Sequence, residues 1–282
     1  MKAFPDCLPC QVTAALKTLR KATNDETVVS KVMIEVLHIL SDYGYGVPPP
    51  RVFREIMRRI KAETGNPDPY SRDKEEQNKR ALSLYEDLKG KVKGAEDPFH
   101  EVLLISSGGN LIDAVIEDRV SGGLGSLGSF LIDDYPDLRK ELRRASRLLI
   151  VGDNAGEVIT DRLMIEEIRQ RWEGEIVYAV RGAPTLNDVT LGDIQGLGLE
   201  ELCSILSTGD DTPGVVLELC SEEFREAFEA ADVIIAKGQG NFETLEELKD
   251  PRIFFLLWAK CEPIVRYLGL DRSGPVLLRS RP

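Results

Sequence analysis

The sequence predicts an α/β protein: a Rossmann-like, mostly parallel sheet flanked by helices, with an all-helical N-terminal part. Two textures in the 282-residue chain carry that expectation. Up to about residue 95, apolar residues recur every three and four positions, the period of one helix face. Beyond Asp97-Pro98, short β-branched runs alternate with longer helical segments, as parallel strands require, because each needs a crossover connection.

A first helix follows from Leu8, Val12, Ala15, Leu16 and Leu19, and a second from Val28, Val32, Ile34, Val36, Leu37 and Leu40. Gly44-Tyr45-Gly46-Val47-Pro48-Pro49-Pro50 cannot continue a helix and connects the second to a third, where Ile56, Met57 and Ile60 share a face. Asp68-Pro69-Tyr70 opens a fourth, highly charged helix reaching about Leu88. The expected strands are residues 102–105, 148–151, 176–180, 203–206 and 233–236. The expected division is a helical part, 1–95, and a Rossmann-like α/β metal-binding part, 96–282. The boundary at 90–97 is short and not linker-like, so the two are expected to pack as one unit.

With 36 Lys+Arg against 48 Asp+Glu, the net charge is −12. No Lys/Arg-rich block offsets that sign, which argues against polymeric nucleic acid and anionic membranes as partners. The longest apolar runs have strand length, far below the ~20 residues that span a bilayer. Met1-Lys2-Ala3-Phe4-Pro5-Asp6-Cys7 lacks the apolar core of a signal peptide, so a cytoplasmic location is expected. Five cysteines then read as reduced thiols or metal ligands rather than a disulfide framework. Cys7-Leu8-Pro9-Cys10 is a lone C-x-x-C, half of what a closed zinc site needs, and no strand precedes it as a thioredoxin-like motif requires. His38 and His100 stand outside every expected strand-end cluster, which disfavours a Ser-His-Asp hydrolase.

In an open α/β sheet, ligands bind beyond the carboxyl ends of the strands. Four such ends are polar: Ser106-Ser107-Gly108-Gly109-Asn110 with Asp113, Gly152-Asp153-Asn154-Ala155-Gly156-Glu157, Arg181-Gly182-Ala183-Pro184-Thr185-Leu186-Asn187-Asp188, and Lys237-Gly238-Gln239-Gly240-Asn241-Phe242-Glu243. The second is the most specific, an apolar strand ending in a carboxylate and a carboxamide, both hard oxygen ligands. Gly152 and Gly156 let a ligand approach the backbone, and the next helix points free N–H groups into the same space. A divalent cation on Asp153 and Asn154 beside an anion-binding helix start suits phosphate chemistry. Helix capping by Asp153 or Asn154 competes with that reading, and the spacing leaves both open. Asn187-Asp188 offers a second carboxylate, again with a cap as the alternative. Lys237 ends an apolar strand and either emerges into water or opposes a phosphate. Gly123-Leu124-Gly125-Ser126-Leu127-Gly128 matches G-x-G-x-x-G literally, but residues 111–120 before it read as helix, so a loop beside the cleft is expected instead.

Asp153-Asn154, Arg181-x-x-Pro184 with Asn187-Asp188, Gly109-Asn110-x-x-Asp113 and Lys237-Gly-x-Gly-Asn241-Phe-Glu243 together resemble the damage-control phosphatase family, formerly a domain of unknown function and an acidic-residue-methyltransferase-like metal-binding domain. The resemblance covers nearly the whole chain. Cys7-x-x-Cys10 and Asp68-Pro-Tyr70 with Gln77-Asn78 resemble its prokaryotic and archaeal subgroup. The resemblance implies a metal-dependent phosphatase acting on phosphomonoesters of small, damaged phosphometabolites, such as sugar phosphates or nucleotides. Asp153, Asn154 and Asp188 would hold the metal, which is manganese, nickel, cobalt or magnesium in the family. Asn110, Asp113, Gly156 and Lys237 would surround the substrate, with Lys237 facing the phosphate.

For such a reaction, N–H groups at 155–157 are expected to meet the phosphoryl charge, with Glu157 and Asp113 as proton carriers. The order Asp-Asn, rather than Asp-x-Asp, favours activated water over Asp153 as the nucleophile and leaves the latter open. A non-catalytic metal- or nucleotide-binding regulator is the alternative. Carboxyl methyl transfer is disfavoured, since no nucleotide-type glycine loop follows the first strand. Converging carboxylates would repel a phosphorylated substrate, so the metal is expected to serve binding as well as chemistry.

Overall fold

The computed structural model describes residues 1–108 and 128–281. Helices α1 (Cys7–Ala22), α2 (Glu26–Tyr43) and α3 (Pro49–Thr64) form where the apolar spacing places them. The Asp25 carboxylate caps α2 by accepting the Thr27 and Val28 N–H groups at 2.8 and 3.3 Å, and Pro49 and Pro50 open α3. These three helices bury a core of their own around Ala15, Leu19, Val32, Val36, Ile56, Met57 and Ile60. Helix α4 (Ser71–Gly94) packs differently, burying Ala81, Leu84, Leu88 and Val92 in the core of the sheet.

The next element corrects an expectation. Residues 102–105 are not a strand but the second half of helix α5 (Pro98–Ser106). Asp97 caps it through the His100 N–H, and Pro98 occupies its first turn. Val102, Leu103, Leu104 and Ile105 are all buried, so the run carries no period to separate helix from strand. Asn110, Asp113, the segment 111–120 and the glycine string up to Leu127 lie outside the described residues.

Among the described residues the sheet has seven strands: β1 (Ile132–Asp133), β2 (Arg147–Val151), β3 (Glu175–Val180), β4 (Ser204–Ser207), β5 (Val233–Lys237), β6 (Ile253–Ala259) and β7 (Gly274–Arg279). Their order is β1-β7-β6-β5-β2-β3-β4, with every neighbouring pair parallel except β6 and β7. β2 to β5 match the expected strands to within one residue at each end, whereas β1, β6 and β7 add to them. β6, Ile-Phe-Phe-Leu-Leu-Trp-Ala, is an unbroken apolar run with the same ambiguity as 102–105. Residues alternate between the two faces. Leu148, Ile150, Val233 and Ile235 join α4, α5 and helix α7 (Glu157–Arg169); Leu149, Val151, Ile234 and Ala236 face helices α8 (Glu222–Ala230), α9 (Gly238–Leu245) and α10 (Glu262–Tyr267). Helix α6 (Tyr135–Leu142) adds Leu138 and Leu142 to the first layer. Among the described residues no helix is long and apolar enough to cross a membrane.

From β2 the chain winds outward to β3 and β4 on one side, then returns to build β5 and β6 on the other. The winding therefore reverses between β2 and β5, and the carboxyl ends of these neighbours open the crevice where such sheets take ligands.

Ion pairs tie α3 to this edge. Arg54 Nε donates to Asp210 at 2.8 Å, while Arg58 Nε and Lys61 Nζ each reach Asp211 at 3.0 Å. Burial pushes the Asp211 carboxyl up, but the hydrogen bonds and charges of Arg58 and Lys61 outweigh it and hold it below its ordinary value. A depressed folded pKa contributes stability above the unfolded value that is lost as the pH falls through the folded one. Asp211→Asn is therefore expected to cost about 1–3 kcal/mol in urea unfolding at pH 7, with the gap to wild type closing below about pH 4. A gap independent of pH would contradict the pairing.

Candidate active site

Asp153 and Asn154 lie immediately beyond β2, and Asp188 beyond β3. Backbone hydrogen bonds bring the two loops together: Val189 N–H donates to the Asp153 carbonyl and Ala155 N–H to the Asn187 carbonyl, each at 2.9 Å. Asn154 and Asp188 thereby face each other in an antiparallel bridge. The capping alternatives are not what the chain adopts. Gly156, at φ 81°, is the N-cap of α7 and no side chain caps that helix. After Asp188, the 3₁₀ turn Leu191–Asp193 is capped by Thr190, in a reciprocal box with Asp193.

Two buried cations organise the carboxylates. Arg181 Nε donates to Asp188 at 2.7 Å and its Nη2 to the Asn241 carbonyl oxygen at 3.1 Å, with Asp153 4.0 Å from Nη2. Its Nη1 finds no hydrogen-bond partner among the described residues. Lys237, at the end of β5, has no solvent exposure and does not emerge into water. Its ammonium donates to Asp161 at 2.6 Å and to Glu157 at 3.1 Å. Asp161 also accepts from Ser106 Oγ at 2.5 Å and Tyr178 Oη at 2.8 Å. Asn154 Nδ2 donates to Asp153 and Glu157, both at 2.8 Å, which leaves its carbonyl oxygen as the atom available to a ligand. Gly238, at φ 74°, is required here, because a Cβ would stand 1.9 Å from an Asp153 oxygen.

Burial, then the neighbouring Asp188 carboxylate, pushes Asp153 up to about 6. Burial, then Asp153 and Asp161, raises Glu157 to about 7 despite the opposing charge of Lys237. Asp188 is raised by burial and by Glu157, against Arg181. Lys237 is held protonated: burial opposes its charge, but Asp161 and Glu157 prevail. Asp153, Glu157, Asp161 and Asp188, when ionised, exceed Arg181 and Lys237 by two negative charges, the complement of a divalent cation. Among the described residues, no three His, Cys, Asp or Glu side chains are set to hold a metal. The set here is two carboxylates plus the Asn154 carboxamide, hard oxygen donors that fit a hard or borderline divalent ion.

The anion-binding expectation at the start of α7 needs correction. Gly156 N–H donates to Asn78 Oδ1 at 2.6 Å and Ala155 N–H is taken by Asn187, so two of the three amides assigned to a phosphate already have partners. Cys7 and Cys10 begin α1 as free thiols, half-buried and exposed. The structure adds Asp161 and Tyr178, which none of the strand-end motifs contains, and a role for Leu186, which lies inside one of them. Asp161 had a legible signal, since it follows Glu157 by four residues on the same helix face. Leu186 had none. It adopts φ 45°, a strained conformation for leucine, and packs against the core of α1 to α3, immediately before Asn187 and Asp188.

Residues 3–274 match the damage-control phosphatase ARMT1-like domain. A damage-control phosphatase of Pyrococcus horikoshii is 35% identical over 289 residues, covering 100% of this chain and 99% of that protein. A damage-control phosphatase of Archaeoglobus fulgidus is 31% identical, covering 96% of each, and an uncharacterized protein of Methanocaldococcus jannaschii is 34% identical, covering 99% and 96%. The crystal structure of a DUF89 family protein from Pyrococcus horikoshii superposes with a TM-score of 0.91 at 35% identity, over the whole of both chains. With residues 3–274 of its 282 matched to that domain, this chain belongs to the damage-control phosphatase ARMT1-like family.

Proposed function

We propose that this protein is a divalent-metal-dependent phosphatase that hydrolyses phosphomonoesters of small, damaged phosphometabolites, sugar phosphates and nucleotides among them. The observation that carries the reading is the convergence of Asp153, Asn154 and Asp188 at the reversal point of the sheet, in a cluster whose four buried carboxylates outnumber the cations paired with them, Arg181 and Lys237, among the described residues. The names of the Pyrococcus and Archaeoglobus relatives support the phosphatase part.

Asp153, Asn154 and Asp188 would hold manganese, nickel, cobalt or magnesium. When bound, such an ion would supply Lewis-acid polarisation of the phosphoryl group and offset its charge. The chain's own groups do the rest. Arg181 pins Asp188 through a buried 2.7 Å hydrogen bond, so that carboxylate keeps one orientation. Glu157, raised to about 7, is present in both protonation states near neutrality and takes up or returns the proton of the attacking water. Its two oxygens are steadied by Asn154 and by Lys237. Lys237, committed to Glu157 and Asp161, serves the reaction through Glu157 rather than by touching the phosphate.

Asp153→Ala and Asp188→Ala are each expected to lower metal-dependent release of phosphate from p-nitrophenyl phosphate by about 10²–10⁴-fold while cooperative unfolding persists. Retained activity in the double variant would sink the proposal. Lys237→Met strands two buried carboxylates and should cost about 3–5 kcal/mol in urea unfolding. An unchanged unfolding midpoint with a raised KM would instead identify Lys237 as a direct phosphate contact.

A further inference from the structure

We infer that Asn78, on the N-terminal helix α4, is a positioning residue of the active site that fixes the loop bearing Asp153 and Asn154 against the loop bearing Asp188. Its consequence for turnover rests on the phosphatase reading above; the clamp itself does not.

Lys74, Gln77 and Asn78 stand at i, i+3 and i+4 of α4 and so share one face. The Asn78 carboxamide uses both ends. Its oxygen accepts the Gly156 N–H at 2.6 Å and its nitrogen donates to the Asp193 carbonyl at 2.8 Å. Because Gly156 can only donate and that carbonyl only accept, the partners fix the orientation of the amide. One side chain thus spans the turn that follows Asn154 and the turn that follows Asp188.

Its neighbours reinforce both grips. Lys74, almost without exposure, binds Asp193 at 2.9 Å and Asp68 at 2.7 Å. Asp193 in turn accepts the Thr190 N–H at 2.8 Å and the Thr190 hydroxyl at 2.6 Å, two residues beyond Asp188. Gln77 Oε1 accepts from Asn187 Nδ2 at 3.3 Å, and Gln77 Cβ lies 3.1 Å from where a Cβ of Gly156 would stand. The two loops join each other through backbone hydrogen bonds from Val189 and Ala155, and α4 holds the pair from outside. Gly156 has no side chain to restrict it, so loss of Asn78 frees the backbone next to two proposed ligands. Such supporting residues typically change metal affinity or activity by about 10–100-fold.

The test compares Asn78→Ala with Arg72→Ala, a change on the same helix at a side chain 90% exposed and remote from the clamp. Amide hydrogen exchange is followed in segments 152–158 and 187–193, together with Mn²⁺ affinity and with kcat and KM for p-nitrophenyl phosphate. Asn78→Ala should speed exchange in both segments and weaken Mn²⁺ binding about 10–100-fold, with Arg72→Ala like wild type in each. Should Asn78→Ala fail to fold, Asn78→Asp, which keeps the acceptor for Gly156 and loses the donor to Asp193, should speed exchange in 187–193 and not in 152–158. Unchanged exchange in either segment for Asn78→Ala, or in 187–193 for Asn78→Asp, overturns the inference even with a lowered Tm and leaves Asn78 an ordinary packing residue. If the wild type releases no phosphate with any divalent cation, the phosphatase reading falls, while the exchange result still decides the clamp.

Discussion

Four carboxylates held in a buried crevice, with Arg181 and Lys237 as the buried cations that pair with them among the described residues, are the constraint on which the rest of the site depends. Removing charge from water costs several kcal/mol per ion unless it is paired. Arg181 satisfies Asp188, and Lys237 satisfies Asp161 and Glu157. What they leave over has to be met by protons or by a cation. The raised values of Asp153 and Glu157 are the protonic answer. A divalent ion on Asp153, Asn154 and Asp188 is the other, and it would turn a cleft that repels phosphate into one that attracts it. The acidity of the whole chain thereby acquires a local meaning, since part of it is concentrated where an ion can neutralise it.

The fold exists in the form it does to bring these groups to one place. Reversal of the winding between β2 and β5 puts Asp153 and Lys237 on adjacent strand ends, and β3 supplies Arg181 and Asp188 beside them. The helical N-terminal part completes the site. Helix α3 clasps Asp210 and Asp211 beyond β4, Leu186 is gripped by the core of α1 to α3, and α4 reaches the loops that bear Asp153 and Asp188. Removing those helices would expose the sheet core under α4 and also unseat those two loops.

How much of this the sequence disclosed follows from the range of each interaction. Asp153-Asn154 and Asp188 were legible because an abrupt polar break after an apolar strand is a local pattern, as were α1 to α4 and β2 to β5. The run 102–105 was misread, since a segment buried on all sides has no periodicity, and the cap that makes it a helix lies upstream at Asp97. For Lys237 the sequence offers water or a phosphate as the partner and not the buried pair it makes, because Glu157 and Asp161 lie 80 and 76 residues away on α7. Asn78 and Leu186 are similar cases. Their roles arise where helical and α/β parts meet: the Gln77-Asn78 motif marks the first without disclosing its partners, and neither motif nor period announces the second.

The central claim is that the buried charge excess is the seat of a catalytic divalent ion. Its most direct test is phosphate release by the metal-stripped wild-type protein, titrated with Mn²⁺, Ni²⁺, Co²⁺ and Mg²⁺ over a panel of small phosphomonoesters. No release in chelator, and a rate that saturates as a single ion binds per chain, is the outcome that follows from the site. Undiminished hydrolysis in chelator, or no saturable binding of any of these ions, would contradict it.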